Sequence, residues 1–137
     1  MKTPFLTALT LGTLALASPA LAADPVKGES EFKKCKACHA IIGADGTEIQ
    51  KGGKTGPNLF GVIGRPVASV EGFAYGESIL AVGATGAVWD EASLAAYVTD
   101  PTKWLKEKTG DSSARSKMSF KLAKGAEDVA AYLATVK

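Results

Sequence analysis

Both cysteines and the only histidine of the 137-residue chain stand within five positions, in the run Cys35-Lys36-Ala37-Cys38-His39. C-x-x-C-H is the attachment signature of a c-type haem. The spacing has a physical reason. Two thiols three residues apart lie on one helical turn and face the same way, so each can add to one vinyl group of a single haem. The following imidazole projects beneath the ring, where it can bind iron from the proximal side. Three other chemistries use such a pair. A redox C-x-x-C opens a helix after a strand, and no βαβ pattern surrounds this one. A disulfide between neighbours on one turn is strained. Zinc needs four ligands, and no further Cys or His completes them.

A haem iron held by His39 has a sixth position to fill. Residues 23–137 contain one methionine, Met118, in the polar stretch Arg115-Ser116-Lys117-Met118-Ser119-Phe120-Lys121. An isolated methionine more often fills a gap in a core, and taken alone Met118 has that reading open to it. Beside a haem on His39 it becomes the candidate sixth ligand. His/Met ligation raises the reduction potential and closes the iron to outside ligands, which suits electron transfer rather than catalysis.

The rest of the chain must position these residues. Met1-Lys2, an apolar run from Phe5 to Leu16, and Ala20-Leu21-Ala22 have the layout of a secretory signal peptide ending in an A-x-A cleavage site. The run is too short to span a bilayer comfortably. Residues 1–22 are therefore expected to be removed, leaving 23–137 as one domain in an oxidising compartment. Asp24-Pro25 reads as a helix start, with a helix from Val26 to about Cys38. From Ala40 to Ala74 frequent glycines predict loops. Further helices are expected over Ser78–Val82, over Glu91–Thr99 behind the cap Asp90, from Pro101 to near Gly110, and from about Ala126 to Val136. Gly110 to Lys117 reads as a surface loop. With no internal repeat and no alternating strand pattern, the fold class is all-α, loop-rich and single-domain. Glycine-rich chains with only short helices bury little apolar surface for their length, and small domains of this kind usually need a large cofactor, a metal or a disulfide at the centre.

Gly28, Cys35 to His39, Gly56-Pro57-Asn58-Leu59, Gly72-Phe73-Ala74-Tyr75, Trp89, Asp100-Pro101, Lys117-Met118 and Ala131-Tyr132-Leu133 follow one another in an order that resembles the class I cytochromes c. The resemblance covers essentially all of 23–137. Within that class the chain looks like the long bacterial cytochrome c2 form, close to the cytochrome c-550 type. The stretches His39 to Gly56 and Pro101 to Met118 are longer than in the short mitochondrial form. The resemblance implies a small loop-rich fold of short helices wrapped around one covalent haem c with its iron. Cys35 and Cys38 would carry the thioethers, and His39 and Met118 would be the axial ligands. The Pro57 carbonyl would accept a hydrogen bond from the His39 ring. Tyr75 and Trp89 match positions that hydrogen-bond a haem propionate, with Arg65 as its basic neighbour. Tyr97 and Ser116 would line the methionine side and Phe120 would flank the exposed haem edge, although plain core packing is an equal reading for Tyr97 and Phe120. Ser116 stands where threonine is common, so its hydroxyl is less sterically fixed. Gly28 and Tyr132 would sit where the terminal helices cross.

Net charge over 23–137 is only +1, which draws nothing toward nucleic acid. Its distribution is uneven. Pro66 to Thr102 carries five acids and no base, whereas Lys27 to Arg65 has seven bases against four acids and Lys103 to Lys137 eight against four. The basic segments bear the haem motif and Met118. Lys33, Lys34, Lys36, Lys54, Lys117 and Lys121 are thus candidates for a positive ring that steers the protein onto acidic partner faces. The resemblance implies a monomeric periplasmic electron carrier and not an enzyme. Its donor would be a cytochrome bc-type complex, and its acceptor a photosynthetic reaction centre or terminal oxidase. The alternative is a ligand-binding or catalytic c-type haem protein with a labile sixth ligand.

Overall fold

At Asp24 the backbone turns helical for a local reason. Its carboxylate accepts the N–H groups of Val26 and Lys27 at 3.0 and 3.3 Å, and Pro25 presets φ, so helix α1 runs Pro25–Glu31. The structure, a computed structural model, describes residues 22–137, so the expected signal peptide lies, but for Ala22, outside the described residues. After Glu31 the helix tightens into a 3-10 turn, Phe32–Cys35. The α-helix thus stops short of the Cys38 boundary that the sequence predicts; Cys35 ends the 3-10 turn, and Cys38 follows in a turn with its N–H on the Cys35 carbonyl at 3.1 Å.

Residues 40–74 are mostly loop, with one exception. Strands β1 (Ile41–Ile42) and β2 (Glu48–Gln50) pair antiparallel around Asp45-Gly46, where Gly46 takes φ +85°. The all-α class holds, with this hairpin and an isolated bridge between Pro66 and Val88 as the little sheet among the described residues. Strands of two and three residues are too short to show alternation, and the Asp-Gly turn was the available signal.

Helix α2 runs Glu77–Ala84, longer than the expected Ser78–Val82. Gly83 does not stop it. A Cβ there would stand 2.4 Å from the Val67 carbonyl oxygen, so this glycine permits close packing rather than termination. Helix α3, Glu91–Thr99, has the predicted bounds and opens on a capping box. The Ser93 N–H donates to the Asp90 carboxylate at 2.6 Å, and the Asp90 N–H to the Ser93 hydroxyl at 3.0 Å. Asp100 closes α3 and caps α4, Pro101–Thr109, which ends at Gly110 with φ +69°. Helix α5 is Ala126–Thr135.

The first and last helices cross where the sequence expects. A Cβ on Gly28 would stand 1.9 Å from the Asp128 carbonyl oxygen, so only glycine lets α1 lie against the α5 backbone. Phe32 packs on Tyr132 with ring centroids 5.8 Å apart, and the Asp24 N–H donates to the Asp128 carboxylate at 2.7 Å. Helix α3 also packs on α5, and α4 lies between α3 and α2. Phe32, Ile41, Val62, Leu105, Val129 and Leu133 are almost wholly buried in the one core. No polar or charged residue is buried among the described residues, so the interior is held by apolar contact.

Candidate functional site

His39 leaves the 3-10 turn with its N–H on the Cys35 carbonyl at 2.9 Å. Its Nδ1 donates to the Pro57 carbonyl at 2.8 Å. A carbonyl only accepts, so the proton belongs to Nδ1, and Nε2 keeps its lone pair. The ring lies across Gly56, where a Cβ would come within 2.2 Å of Cε1. Burial pulls the His39 pKa below its ordinary 6.5, against the opposing pull of the Pro57 bond. The imidazole is therefore neutral at pH 7, as a metal ligand must be. Both thiols are free, Cys38 exposed and Cys35 half-buried. Burial, reinforced by Cys38 and Glu31, pushes the Cys35 thiol up to about 11. No group of three or more His, Cys, Asp or Glu side chains placed to hold a metal ion occurs among the described residues.

The loop after Pro57 ties this side to the methionine side. Arg65 donates from Nη1 to the Phe60 carbonyl and from Nη2 to the Asn58 carbonyl, both at 3.1 Å. Burial lowers its pKa, with Tyr75 acting the other way. The Trp89 N–H donates to the Arg65 carbonyl at 3.0 Å, and the Gly64 N–H to the Trp89 carbonyl at 2.7 Å. The Trp89 ring lies 5.2 Å from both Tyr97 and Trp104, stacked on the latter. The Tyr97 hydroxyl is 3.3 Å from the Ser116 hydroxyl, which accepts the Met118 N–H at 3.0 Å. Ser116 is fixed in turn by its N–H on the Thr102 hydroxyl at 3.3 Å. Burial raises the Tyr97 pKa, against the lowering effect of the Ser116 hydrogen bond.

The structure therefore gathers the expected residues into two groups. Cys35, Cys38, His39 and Pro57 form one; Arg65, Trp89, Tyr97, Ser116 and Met118 form the other, and the Asn58–Arg65 loop joins them. Tyr75 accepts the Val70 N–H on its hydroxyl at 3.1 Å and packs edge-on against Phe73. Phe120 stands apart, 40% exposed and outside every ring pair among the described residues. Of the lysines, Lys34 pairs with Glu31, Lys121 with Asp100 at 2.7 Å, and Lys117 donates to the Ala74 carbonyl at 3.1 Å. Lys33, Lys36 and Lys54 have no acidic partner within 4 Å among the described residues.

Sequence reasoning assigned no role to Gly56, Asn58, Thr102 or Trp104. Only Asn58 carried a usable signal, an amide following Gly-Pro in a predicted turn. The donor set fits a covalent haem c. Two free thiols supply attachment points, and the His39 lone pair and a thioether supply ligands of the type haem iron takes. Met118 packs on the core while staying half-buried, as Cys35 does.

No protein-family model matches the chain. Curated relatives do. The chain is 59% identical over 131 residues to cytochrome c2 of Rhodobacter capsulatus, covering 96% of each. It is 60% identical over 129 residues to cytochrome c-550 of Paracoccus versutus, covering 91% of this chain and 84% of the relative. The fold matches the X-ray structure of ferric cytochrome c-550 from Paracoccus versutus with a TM-score of 0.81 at 60% identity. That match covers 83% of this chain and 98% of the other.

Proposed function

Because the chain belongs to the cytochrome c2/c-550 family of class I c-type cytochromes, we propose that it is a periplasmic one-electron carrier whose haem iron is held by His39 and Met118. Membership itself makes it an electron carrier with one covalent haem c, and not an enzyme. The ligand pair, the partners and the compartment are the proposal. The bond from His39 Nδ1 to Pro57 carries it, because that bond commits one ring nitrogen and leaves the other as the donor.

When bound, the haem supplies a one-electron iron couple. The chain's own residues do the rest. Cys35 and Cys38 tether the ring at two points. Pro57 orients the His39 imidazole and raises its basicity. Ser116, braced by Tyr97 and Thr102, holds the backbone of Met118 so that its thioether is presented in one place. Arg65 keeps a cation on the loop between the two groups, where it favours a nearby propionate, with Tyr75 and Trp89 as the further propionate contacts. Phe120, 40% exposed, flanks the exposed haem edge.

Electrons pass from a cytochrome bc-type complex to a photosynthetic reaction centre or terminal oxidase, which a monomer meets through Lys33, Lys34, Lys36, Lys54, Lys117 and Lys121. The ion pairs of Lys34 and Lys121 are exposed, and such pairs hold weakly, so these side chains remain able to turn toward a partner. Residues 1–22 are the signal peptide and Ala23 the first residue of the mature domain, which N-terminal sequencing of the periplasmic fraction tests.

The optical spectrum of the purified protein, oxidised and reduced, with and without carbon monoxide, tests the ligand pair. A low-spin c-type spectrum with a sulfur–iron charge-transfer band when oxidised, and no response to carbon monoxide, is expected. A high-spin spectrum that shifts with carbon monoxide would replace the carrier by the ligand-binding or catalytic alternative.

A further inference from the structure

We propose that Asn58 is a positioning residue for the His39 ligand: it holds the Pro57 carbonyl on the imidazole and so helps to set the reduction potential. The inference rests on His39 ligation. Pro57 has no N–H by which its own backbone could be fixed. Upstream, the Gly56 N–H is anchored on the Cys38 carbonyl at 2.8 Å. Downstream, the work falls to the Asn58 side chain. Its Oδ1 accepts the Ile42 N–H at 3.0 Å and the Phe60 N–H at 3.0 Å, while its Nδ2 donates to the Ile42 carbonyl at 2.8 Å. One amide thus meets both backbone groups of Ile42, as a residue of a neighbouring strand would.

These bonds close a circuit. It runs from His39 along the backbone to Ile42, across two hydrogen bonds to Asn58, back one residue to Pro57, and across to His39 Nδ1. The Leu59 N–H on the Ala40 carbonyl at 3.1 Å and the Arg65 guanidinium on the Asn58 carbonyl brace the same loop. Ala40 and Ile41, between the two ends of the circuit, are buried, so the strand side cannot follow if the loop moves. Without the Asn58 amide the carbonyl is free to drift from the ring. A weaker Nδ1–H···O bond makes the imidazole a poorer electron donor, which favours the reduced iron and raises the potential.

The test compares the wild-type holoprotein with Asn58→Ala. Equilibrium with a mediator of known potential should shift about threefold toward the reduced form, a rise of ~28 mV for one electron. In parallel, NMR of the reduced protein should show the His39 Nδ1 proton exchanging with solvent at least about tenfold faster. Asn58→Ser guards against a failure to fold. Its hydroxyl can still meet the Phe60 N–H but cannot span to Ile42, and it should move both quantities in the same direction. A folded variant with wild-type potential and exchange, whatever its melting temperature, overturns the proposal. A wild-type spectrum without low-spin His/Met character overturns the ligand reading first, which separates the two failures.

Discussion

A single hydrogen bond decides which nitrogen of His39 is available, and a single hydroxyl decides where Met118 begins. The residues proposed to attach the haem and ligate its iron are legible in the sequence because their types are scarce: two cysteines and one histidine in one motif, and one methionine after residue 22. Residues that hold them are common types, distinguished only by what they touch. Thr102 could not be told from any helix hydroxyl until the fold brought Ser116 to it, and Asn58, marked only as an amide after Gly-Pro, gave no sign that it would meet Ile42. The ligand role proposed for Met118 gives the sharpest prediction at this scale. Met118→Ala should leave the haem attached through Cys35 and Cys38 but open the iron, so the reduced variant binds carbon monoxide where the wild type does not. Its potential should also fall, because a thioether ligand favours the reduced state.

Among the elements, close approach is the recurring device. Gly28→Ala would drive a methyl into the Asp128 carbonyl, and the helix crossing should lose about 1–3 kcal/mol in denaturant titration of the holoprotein. Ala68 presents the opposite case. It is the only non-glycine residue at positive φ (+56°) among the described residues, so Ala68→Gly should stabilise the domain by about 0.5–1 kcal/mol. Helix and loop caps set the acid limit. Asp45, Asp90, Asp100 and Asp111 accept hydrogen bonds from Thr47, Ser93, Lys103 with Lys121, and Ser113 respectively, which hold their carboxyls below the ordinary 3.8. A depressed folded-state pKa contributes stability above the unfolded value and loses it as pH falls through the folded one. Thermal stability should therefore be flat near neutrality and decline below about pH 4. The same caps made α3 and α4 readable from sequence, since Asp90, Asp100-Pro101 and Gly110 mark their ends locally. The hairpin was not readable beyond its Asp-Gly turn, because strands of two and three residues are too short to show alternation. Nor was the stop of α1 at Glu31, where the tightening to a 3-10 turn has no local breaker residue.

For the molecule as a whole, charge is sorted along the chain rather than accumulated. The acidic stretch Pro66 to Thr102 separates two basic ones, so the net value of +1 over 23–137 conceals an uneven distribution of charge. Association with an isolated reaction centre or oxidase should slow steeply as ionic strength rises, with Lys33→Glu and Lys54→Glu slowing it further at low salt. Stopped-flow rates that ignore salt would remove the steering role of the lysines. The crossing of α1 with α5 also has a consequence in time. A chain emerging from its N-terminus presents Cys35, Cys38 and His39 early. Gly28 on α1 and Phe32 in the 3-10 turn after it gain their α5 neighbours only when residues 126–135 arrive, and the Gly61 N–H waits for the carbonyl of Val136. An early-synthesised part of the domain is thus among the last to be completed, and its folding waits on the far end of the chain.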